Sequence, residues 1–224
     1  MRRILHDNGL WSFFALLFVL AVAGQAIAGL ADQNHQQIAN GVAETTLGDY
    51  LTSSDFATDV AENWQSEYLQ FFLYIFMTVW LVQRGSPESK KVDEAGLESE
   101  RDQQIGRFTT DDSPRLAKTS GGLQWLFANS LGLVMGAIFV GSWLAQSIAG
   151  LSAYNDQLLL QLEDPVGWWG YVCSADFWNR TLQNWQSEFL AIASMVALSI
   201  YLRQRGSPES KPVGTPHEAT GIES

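Results

Sequence analysis

The chain has 224 residues and a formal net charge of −11, and this acidic balance argues against nucleic acid as a partner, which requires clustered Lys and Arg. Its single cysteine, Cys173, excludes an intramolecular disulfide and a Cys-based zinc site. The three histidines lie far apart in the sequence, so we predict neither a bound metal nor another cofactor. Nine tryptophans are many for this length and are typical of a membrane–water interface.

Apolar residues are concentrated in four runs of the chain, each close to the ~17–25 residues that a membrane-spanning helix needs. In chain order these runs lie at residues 9–30, 66–82, 123–151 and 188–202. A helix is the spanning form we expect, because lipid cannot satisfy the open edge of a strand. The sequence therefore predicts an all-α membrane protein with four transmembrane helices and two outer loops of about thirty residues.

The first run has a second interpretation, as a secretory signal that is removed. Residues 1–3 (MRR) are basic, and residues 26–28 (AIA) resemble a cleavage site. The third run has similar residues at the matching place, 147–151 (SIAGL), deep inside the chain where no signal peptide can lie. We therefore predict that the first run is retained as a membrane helix.

The basic residues predict the orientation of these helices in the membrane. With a cytoplasmic N-terminus, the inner segments are residues 1–8, 83–122 and 203–224, which contain every Lys and Arg of the chain except Arg180. The opposite orientation would place nearly all positive charges on the outer side. We therefore predict a multi-pass protein of a cytoplasmic membrane with both termini in the cytoplasm.

The chain contains an internal duplication. The sequence RGSPESK occurs at residues 84–90 and again at 205–211, an offset of 205 − 84 = 121, and NWQSE occurs at 63–67 and 184–188 with the same offset. We call these segments the first and second RGSPESK and NWQSE motifs. They predict two tandem helix–loop–helix repeats that cross the membrane in the same sense. The residues that the offset pairs include Asn8 with Asn129, Gln25 with Gln146, Asn63, Trp64, Gln65 and Ser66 with Asn184, Trp185, Gln186 and Ser187, Glu67 with Glu188, and Arg84 and Gly85 with Arg205 and Gly206.

The repeats and the composition between them predict four segments. Residues 1–90 form the first two-helix repeat, and residues 123–211 form the second. Residues 91–122 are charged and poor in large apolar side chains, which predicts a flexible cytoplasmic linker. Residues 212–224 have the same character and are predicted to form a disordered cytoplasmic tail.

The order of these motifs resembles a known family. Each copy has an Asn-Gly or Asn-Ser opening, a Gln in its first helix, the NWQSE motif followed by an aromatic residue (Tyr68, Phe189), and a closing RGSPESK motif. This pattern is similar to an uncharacterised family of bacterial integral membrane proteins with a domain of unknown function, often doubled. The resemblance covers essentially the whole chain and implies a location in the bacterial inner membrane, with no established activity. The chain departs from the family pattern at residues 33–36 (QNHQ), where the second copy keeps the more typical YNDQ.

Four repeated polar residues form a candidate membrane site. Gln25 lies about sixteen residues above the start of its run, roughly 24 Å at ~1.5 Å per residue, and Glu67 lies a similar distance above the end of its own. The two should therefore lie at a similar depth near the outer interface, and the same arithmetic pairs Gln146 with Glu188. One interpretation is an interhelical hydrogen bond that fixes each hairpin. The other is a site for a proton, a cation or a small solute.

The remaining repeated residues have local interpretations. Trp64 and Trp185 begin the second and fourth predicted helices, where interfacial aromatic anchors are expected. The Arg-Gly pair of each RGSPESK motif suits a helix C-terminus, with a cation near the negative end of the dipole and Gly at C′. Helix capping does not explain the repeated Glu-Ser-Lys of the motif. A cytoplasmic partner, an anionic lipid and packing against Asn8 and Asn129 are open alternatives.

Two classes of function remain open from the sequence. The first is a structural or interaction module of the membrane, with the lipid bilayer as a partner and other membrane proteins or self-association as further possibilities. The second is a small transporter or channel that uses the repeated Gln and Glu residues. No catalytic motif is present in the sequence, so we predict that the protein is not an enzyme. We favour the first class, because side chains fill most of the interior of a four-helix bundle.

Overall fold

The computed structural model describes residues 7–221, and the regular structure of this part of the chain is helical, which confirms the predicted all-α class. Three short 3₁₀ helices lie in the predicted linker, at Val92–Glu94, Gly106–Phe108 and Arg115–Lys118. The basic residues 1–3, which support the signal interpretation, lie outside the described residues. Within 7–221 there are seven α-helices: α1 (Gly9–Ala39), α2 (Leu47–Leu51), α3 (Ser54–Met77), α4 (Gly122–Ala128), α5 (Ser130–Leu160), α6 (Trp168–Val172) and α7 (Ala175–Tyr201).

Two of the described helices, α1 and α5, are long and apolar enough to cross a membrane. Each has 31 residues, and only 6% and 11% of their most apolar stretches are buried, so the described part of the chain leaves these stretches almost uncovered. The helices α3 and α7 do not meet the same standard, so the structure supports two of the four predicted spans. Two physical reasons explain the difference. The helix α3 ends at Met77, before the predicted run ends at residue 82, and both helices include a polar NWQSE motif.

The predicted outer loops are mostly helical. Both α1 and α5 continue past the predicted ends of their runs, residues 30 and 151, by nine residues each (39 − 30 = 160 − 151 = 9). The short helices α2 and α6 follow, and α3 and α7 then begin. Each predicted loop is therefore a helical extension, a short connection, a short helix and the first turns of α3 or α7.

The described residues form two compact units. The first comprises the residues up to Ala61 together with Ala145–Val172, and the second comprises Glu62–Leu144 and the residues from Cys173 onward.

In the first unit, an asparagine side chain closes the connection after each long helix. Asn34 donates to the carbonyl of Thr45 at 3.1 Å and accepts from the amide of the same residue at 2.7 Å. Asn155 makes the same two bonds to Val166, at 3.0 and 2.8 Å. The two asparagines are 155 − 34 = 121 residues apart, so the offset that relates the sequence motifs also relates these contacts.

Two buried tyrosines of the first unit pack against glycines of the long helices. Tyr50 and Tyr171, on α2 and α6, are 3% and 0% exposed. Their hydroxyl groups face Gly29 of α1 and Gly150 of α5 so closely that a Cβ atom at either glycine would collide with the hydroxyl oxygen. Burial and the negative charge of Asp59 raise the pKa of Tyr50, which keeps its hydroxyl neutral. The glycine shared by the two copies is therefore required for close packing.

We expect Gly150→Ala to lower the melting temperature of the purified protein, because the added methyl group overpacks the contact with Tyr171, a change that costs about 1–3 kcal/mol. Gly141→Ala in the same helix is the matched control, since nothing lies within 4 Å of a Cβ atom there. The control should be neutral or stabilising, because Ala is the better helix former. Thermal unfolding in detergent measures both, and equal melting temperatures of the two variants would contradict the close packing.

Candidate functional site

The four candidate polar residues are divided between the two units. In the first unit, Gln25 on α1 is half-buried and Gln146 on α5 is fully buried. In the second unit, Glu67 on α3 is exposed and Glu188 on α7 is half-buried, and the negative charge of Glu67 acts on Glu188. The second unit thus contains the same glutamate of both copies. The predicted pairing of each Gln with the Glu of its own hairpin stays a prediction.

In the second unit, one hydrogen bond joins the two NWQSE motifs. The indole Nε1 of Trp185 donates to the side-chain Oε1 of Gln65 at 2.7 Å, and Gln65 is completely buried. Trp64, the counterpart of Trp185 in the first motif, is 43% exposed. Trp185 therefore fixes one copy against the other, whereas Trp64 keeps the exposure that an interfacial anchor needs.

Other residues of the NWQSE motifs act within their own helices. The Ser66 hydroxyl donates to the carbonyl of Asn63 at 3.0 Å, and Ser187 donates to Asn184 at 2.8 Å. Gln186, the counterpart of the buried Gln65, is exposed. The identical sequences of the two motifs thus have the same local bonds and different surroundings.

An aromatic cluster surrounds Trp143 of α5 in the second unit. Its ring stacks on Phe177 with a centroid distance of 6.1 Å and an interplanar angle of 22°, and it meets the edge of Trp178 at 6.0 Å. Trp185 lies 5.8 Å away, and the Trp143 Nε1 donates to the Thr181 hydroxyl at 3.4 Å. Such aromatic pairs stabilise a structure by about 0.5–1.5 kcal/mol each beyond the area they bury. The cluster therefore holds α7 against α5.

Arg180, the basic residue predicted to lie on the outer side, forms ion pairs in the second unit. Its guanidinium lies 3.1 Å from a carboxylate oxygen of Glu62 and 3.4 Å from one of Asp176. The Glu62 side chain is only 11% exposed, and a carboxylate in such surroundings needs a charged partner. This ion pair joins α3 to α7 immediately before the first NWQSE motif.

Each RGSPESK motif forms a closed turn in the second unit. The Ser89 hydroxyl accepts a hydrogen bond from the amide of Gln83 at 2.8 Å, and Ser210 accepts from Gln204 at 2.9 Å. The glycine in the second place of each motif has a φ of 87° or 82°, a conformation that glycine adopts without strain. Because α3 and α7 end several residues earlier, the Arg-Gly pair does not cap these helices, and its glycine serves the turn.

The lysine that ends each motif donates to backbone carbonyl groups. Lys90 donates to the carbonyl of Gly96 at 2.9 Å. Lys211 is 1% exposed, and burial together with the positive charge of Arg203 lowers its pKa. Carbonyl oxygens replace water around its ammonium group. Its four acceptors, at 2.6 to 3.4 Å, are the carbonyl oxygens of Gly85, His217, Ala219 and Pro216.

The C-terminal segment covers the first RGSPESK motif. The Gly85 amide donates to the Thr220 hydroxyl at 2.8 Å, and the Gly221 amide donates to the carbonyl of Ser86 at 3.1 Å. The Gly85 carbonyl is also engaged, because it accepts from Lys211. The repeated Ser and Lys of the motif thus have a structural explanation, which is turn closure and the attachment of the chain end.

A cavity of about 350 Å³ lies between α3 and α7 in the second unit. Its lining is mostly apolar and includes two carboxylates, Glu88 and Glu209, which occupy the same place in the first and second RGSPESK motifs. The Tyr74 hydroxyl donates a hydrogen bond to Glu88. The helices contribute matching positions (191 − 70 = 121), namely Gln70, Phe71 and Tyr74 from α3 and Ala191, Ile192 and Met195 from α7.

No pattern in the sequence predicted this cavity. Glu88 is repeated, but its place in the motif indicates no role, and Gln70 and Tyr74 are not repeated, because the second copy has Ala191 and Met195 at those positions. The sequence signal that could have indicated the cavity is the repeated glutamate of the RGSPESK motif, Glu88 and Glu209, because the turn that the motif forms does not require a carboxylate.

A family model described as a domain of unknown function (DUF6766) matches residues 1–222 of the chain. The match includes both NWQSE motifs and both RGSPESK motifs. No curated protein and no solved structure matches the chain.

We expect Trp185→Phe to destabilise the protein by about 1–3 kcal/mol, because it removes the indole donor and leaves the buried Gln65 oxygen without it. The double variant Trp185→Phe, Gln65→Leu should lose less stability than the sum of the losses of the two single variants. Trp64→Phe, at the exposed counterpart, is the matched control and should have a smaller effect. Chemical unfolding of the variants measures the coupling, and strictly additive losses would contradict a direct contact between the motifs.

We expect Lys211→Met to release the chain end, because hydrogen bonds to charged groups contribute about 1.5–3 kcal/mol each. Carboxypeptidase should trim this variant faster than the wild type, and the melting temperature should fall. Lys90→Met is the matched control, since Lys90 has a side chain that is 25% exposed and pairs with Glu98. An unchanged trimming rate in Lys211→Met would show that the ammonium group does not hold this segment.

Proposed function

The chain belongs to the DUF6766 family, whose function is unknown, and we propose from its own contacts that it is an integral protein of the bacterial inner membrane with a structural or interaction role. Its partners in this proposal are the lipid bilayer and either other membrane proteins or a second copy of the chain. The proposal includes no catalytic activity.

The exposure of α1 is the observation that carries the membrane assignment. Nine large apolar side chains between Leu10 and Leu20 are 45% to 76% exposed, and they project from every side of the helix. A helix that is apolar all round is stable when it is covered by protein or surrounded by lipid. Since the protein buries only 6% of the apolar stretch of α1, lipid is the environment that fits.

The second long helix, α5, supports a membrane protein built from two parallel copies. It is also apolar and has 11% of its apolar stretch buried. The helices α5, α6 and α7 begin 121 residues after α1, α2 and α3, respectively (130 − 9, 168 − 47 and 175 − 54). Two copies that start their helices in the same order would cross the membrane in the same sense, with α1 and α5 leading outward.

In this proposal α3 and α7 return the chain to the cytoplasmic side. Their outer ends carry the polar NWQSE motifs. Near these ends the Gln65 side chain has a partner within the protein in Trp185, and Glu62 has one in Arg180. A polar residue at membrane depth is tolerated when it has such a partner. The basic residues of the linker and of the chain end would then remain on the cytoplasmic side.

An interaction role is better supported than transport by the repeated Gln and Glu residues. A transporter of that kind would need Gln25, Glu67, Gln146 and Glu188 along one polar path. In the second unit, however, Glu67 is exposed, and the cavity between α3 and α7 is lined by other residues. The Trp185–Gln65 bond between the two NWQSE motifs holds the two copies together, as expected of a rigid module.

We expect an impermeant maleimide added to spheroplasts to label the native Cys173, which is exposed between α6 and α7. In a Cys173→Ser background, Ser99→Cys in the linker and Val213→Cys in the tail should be labelled only after the membrane is broken. Labelling of Cys173 and the linker from the same side would contradict the proposed crossings. Release of the protein by alkaline carbonate would contradict its integration into the membrane.

A further inference from the structure

We propose that the cavity between α3 and α7 binds an amphiphile with a protonated amine as its head group and an alkyl chain as its body. The inference needs only the second unit, so it is independent of the membrane topology proposed above. It assigns a ligand class to residues that the proposed function does not use.

The size and walls of the cavity suit the apolar part of such a ligand. Its volume of about 350 Å³ lies in the range of about 300–1,000 Å³ that is usual for small-molecule sites. The apolar walls come from both helices, with Phe71 on α3 and Ile192, Met195 and Val196 on α7. An alkyl chain placed against these side chains would gain about 25 cal/mol for each Å² of apolar surface removed from water.

The charge of the cavity selects a cation as the polar part. Glu88 lines it, and among residues 7–221 no Lys, Arg or His does so. The Tyr74 hydroxyl holds the Glu88 carboxylate by a hydrogen bond and thereby orients it. A protonated amine beside this carboxylate would form charge-assisted hydrogen bonds, which are about twice as strong as neutral ones.

Gln70 supplies a further acceptor on the same wall. Its side-chain Oε1 is buried and has no hydrogen-bond partner among residues 7–221, and it lies one helical turn before Tyr74. An amide oxygen can only accept hydrogen bonds, so a ligand that satisfies it must carry a donor. An alkylammonium group carries donors and no acceptor, as this set of oxygen atoms requires.

The asymmetry between the two copies also indicates an amphiphile. At matching positions, α3 contributes Gln70 and Tyr74 where α7 contributes Ala191 and Met195. One wall is therefore polar and the other apolar, although both derive from equivalent places in the repeat. A ligand with one polar end and one apolar side complements this arrangement better than a uniformly polar or uniformly apolar molecule.

The experiment measures saturable stabilisation of the full chain in phosphatidylcholine nanodiscs by decylamine, with decanol and decanoate as probes of the same chain length. We expect decylamine to raise the melting temperature saturably, and decanol and decanoate not to do so. The double variant Glu88→Gln, Glu209→Gln should bind decylamine at least about tenfold more weakly, a loss of about 1.4 kcal/mol. Glu67→Gln, which removes an exposed carboxylate of α3 outside the cavity, is the matched control and should bind as the wild type does.

A second variant keeps the test decisive if the double variant does not fold. Met195→Trp fills the cavity without changing its charge, and it should abolish saturable stabilisation by decylamine. Equal effects of decylamine and decanol, or unchanged binding in Met195→Trp, would overturn the proposal. Competition by lysophosphatidylethanolamine would identify a lipid head group as the natural source of the amine. If decylamine binds and this lipid does not compete with it, the natural ligand is a free amine.

Discussion

An α-helix with apolar side chains on every face is stable only in apolar surroundings, and this constraint governs the rest of the structure. Two helices of this kind, α1 and α5, are almost wholly uncovered by the protein. In the membrane setting proposed above, polar groups at the level of these helices could not rely on water, so each would need a partner within the protein. In the first unit, the side-chain bonds of Asn34 and Asn155 close the connections that follow the two helices, and Tyr50 and Tyr171 pack against their glycines.

In the second unit, several polar groups make contacts that run between the two copies. Gln65 and Trp185 join the two NWQSE motifs, and Lys211 joins the second RGSPESK motif to the first through the Gly85 carbonyl. A hydrogen bond is electrostatically stronger in low-dielectric surroundings than in water. Removing one partner leaves a buried polar group unsatisfied, so these few contacts are more sensitive to substitution than the apolar surface around them.

Much of the fold follows from the pattern of residues, whereas the contacts between copies do not. The apolar runs indicated the helical class and the two long helices. They did not indicate that α1 continues to Ala39, because the residues after 30 are polar, and the bonds between Asn34 and Thr45 that hold this extension cannot be read from a pattern of apolar residues. The offset marked Gln65 and Trp185 as repeated residues, but two identical motifs cannot show which member of one contacts which member of the other. The cavity was missed because Gln70 and Tyr74 differ between the copies.

The bond between the Gly85 amide and the Thr220 hydroxyl joins residues that are 135 positions apart, and this separation has a consequence for biogenesis. At ~5–20 residues per second, a ribosome needs roughly seven to twenty-seven seconds to synthesise the intervening chain. During that interval the first RGSPESK turn lacks both the Thr220 hydroxyl and the Lys211 ammonium group. The first copy therefore completes its RGSPESK turn only after the second copy has been made, and nascent chains arrested in between would display this turn uncovered to chaperones and proteases.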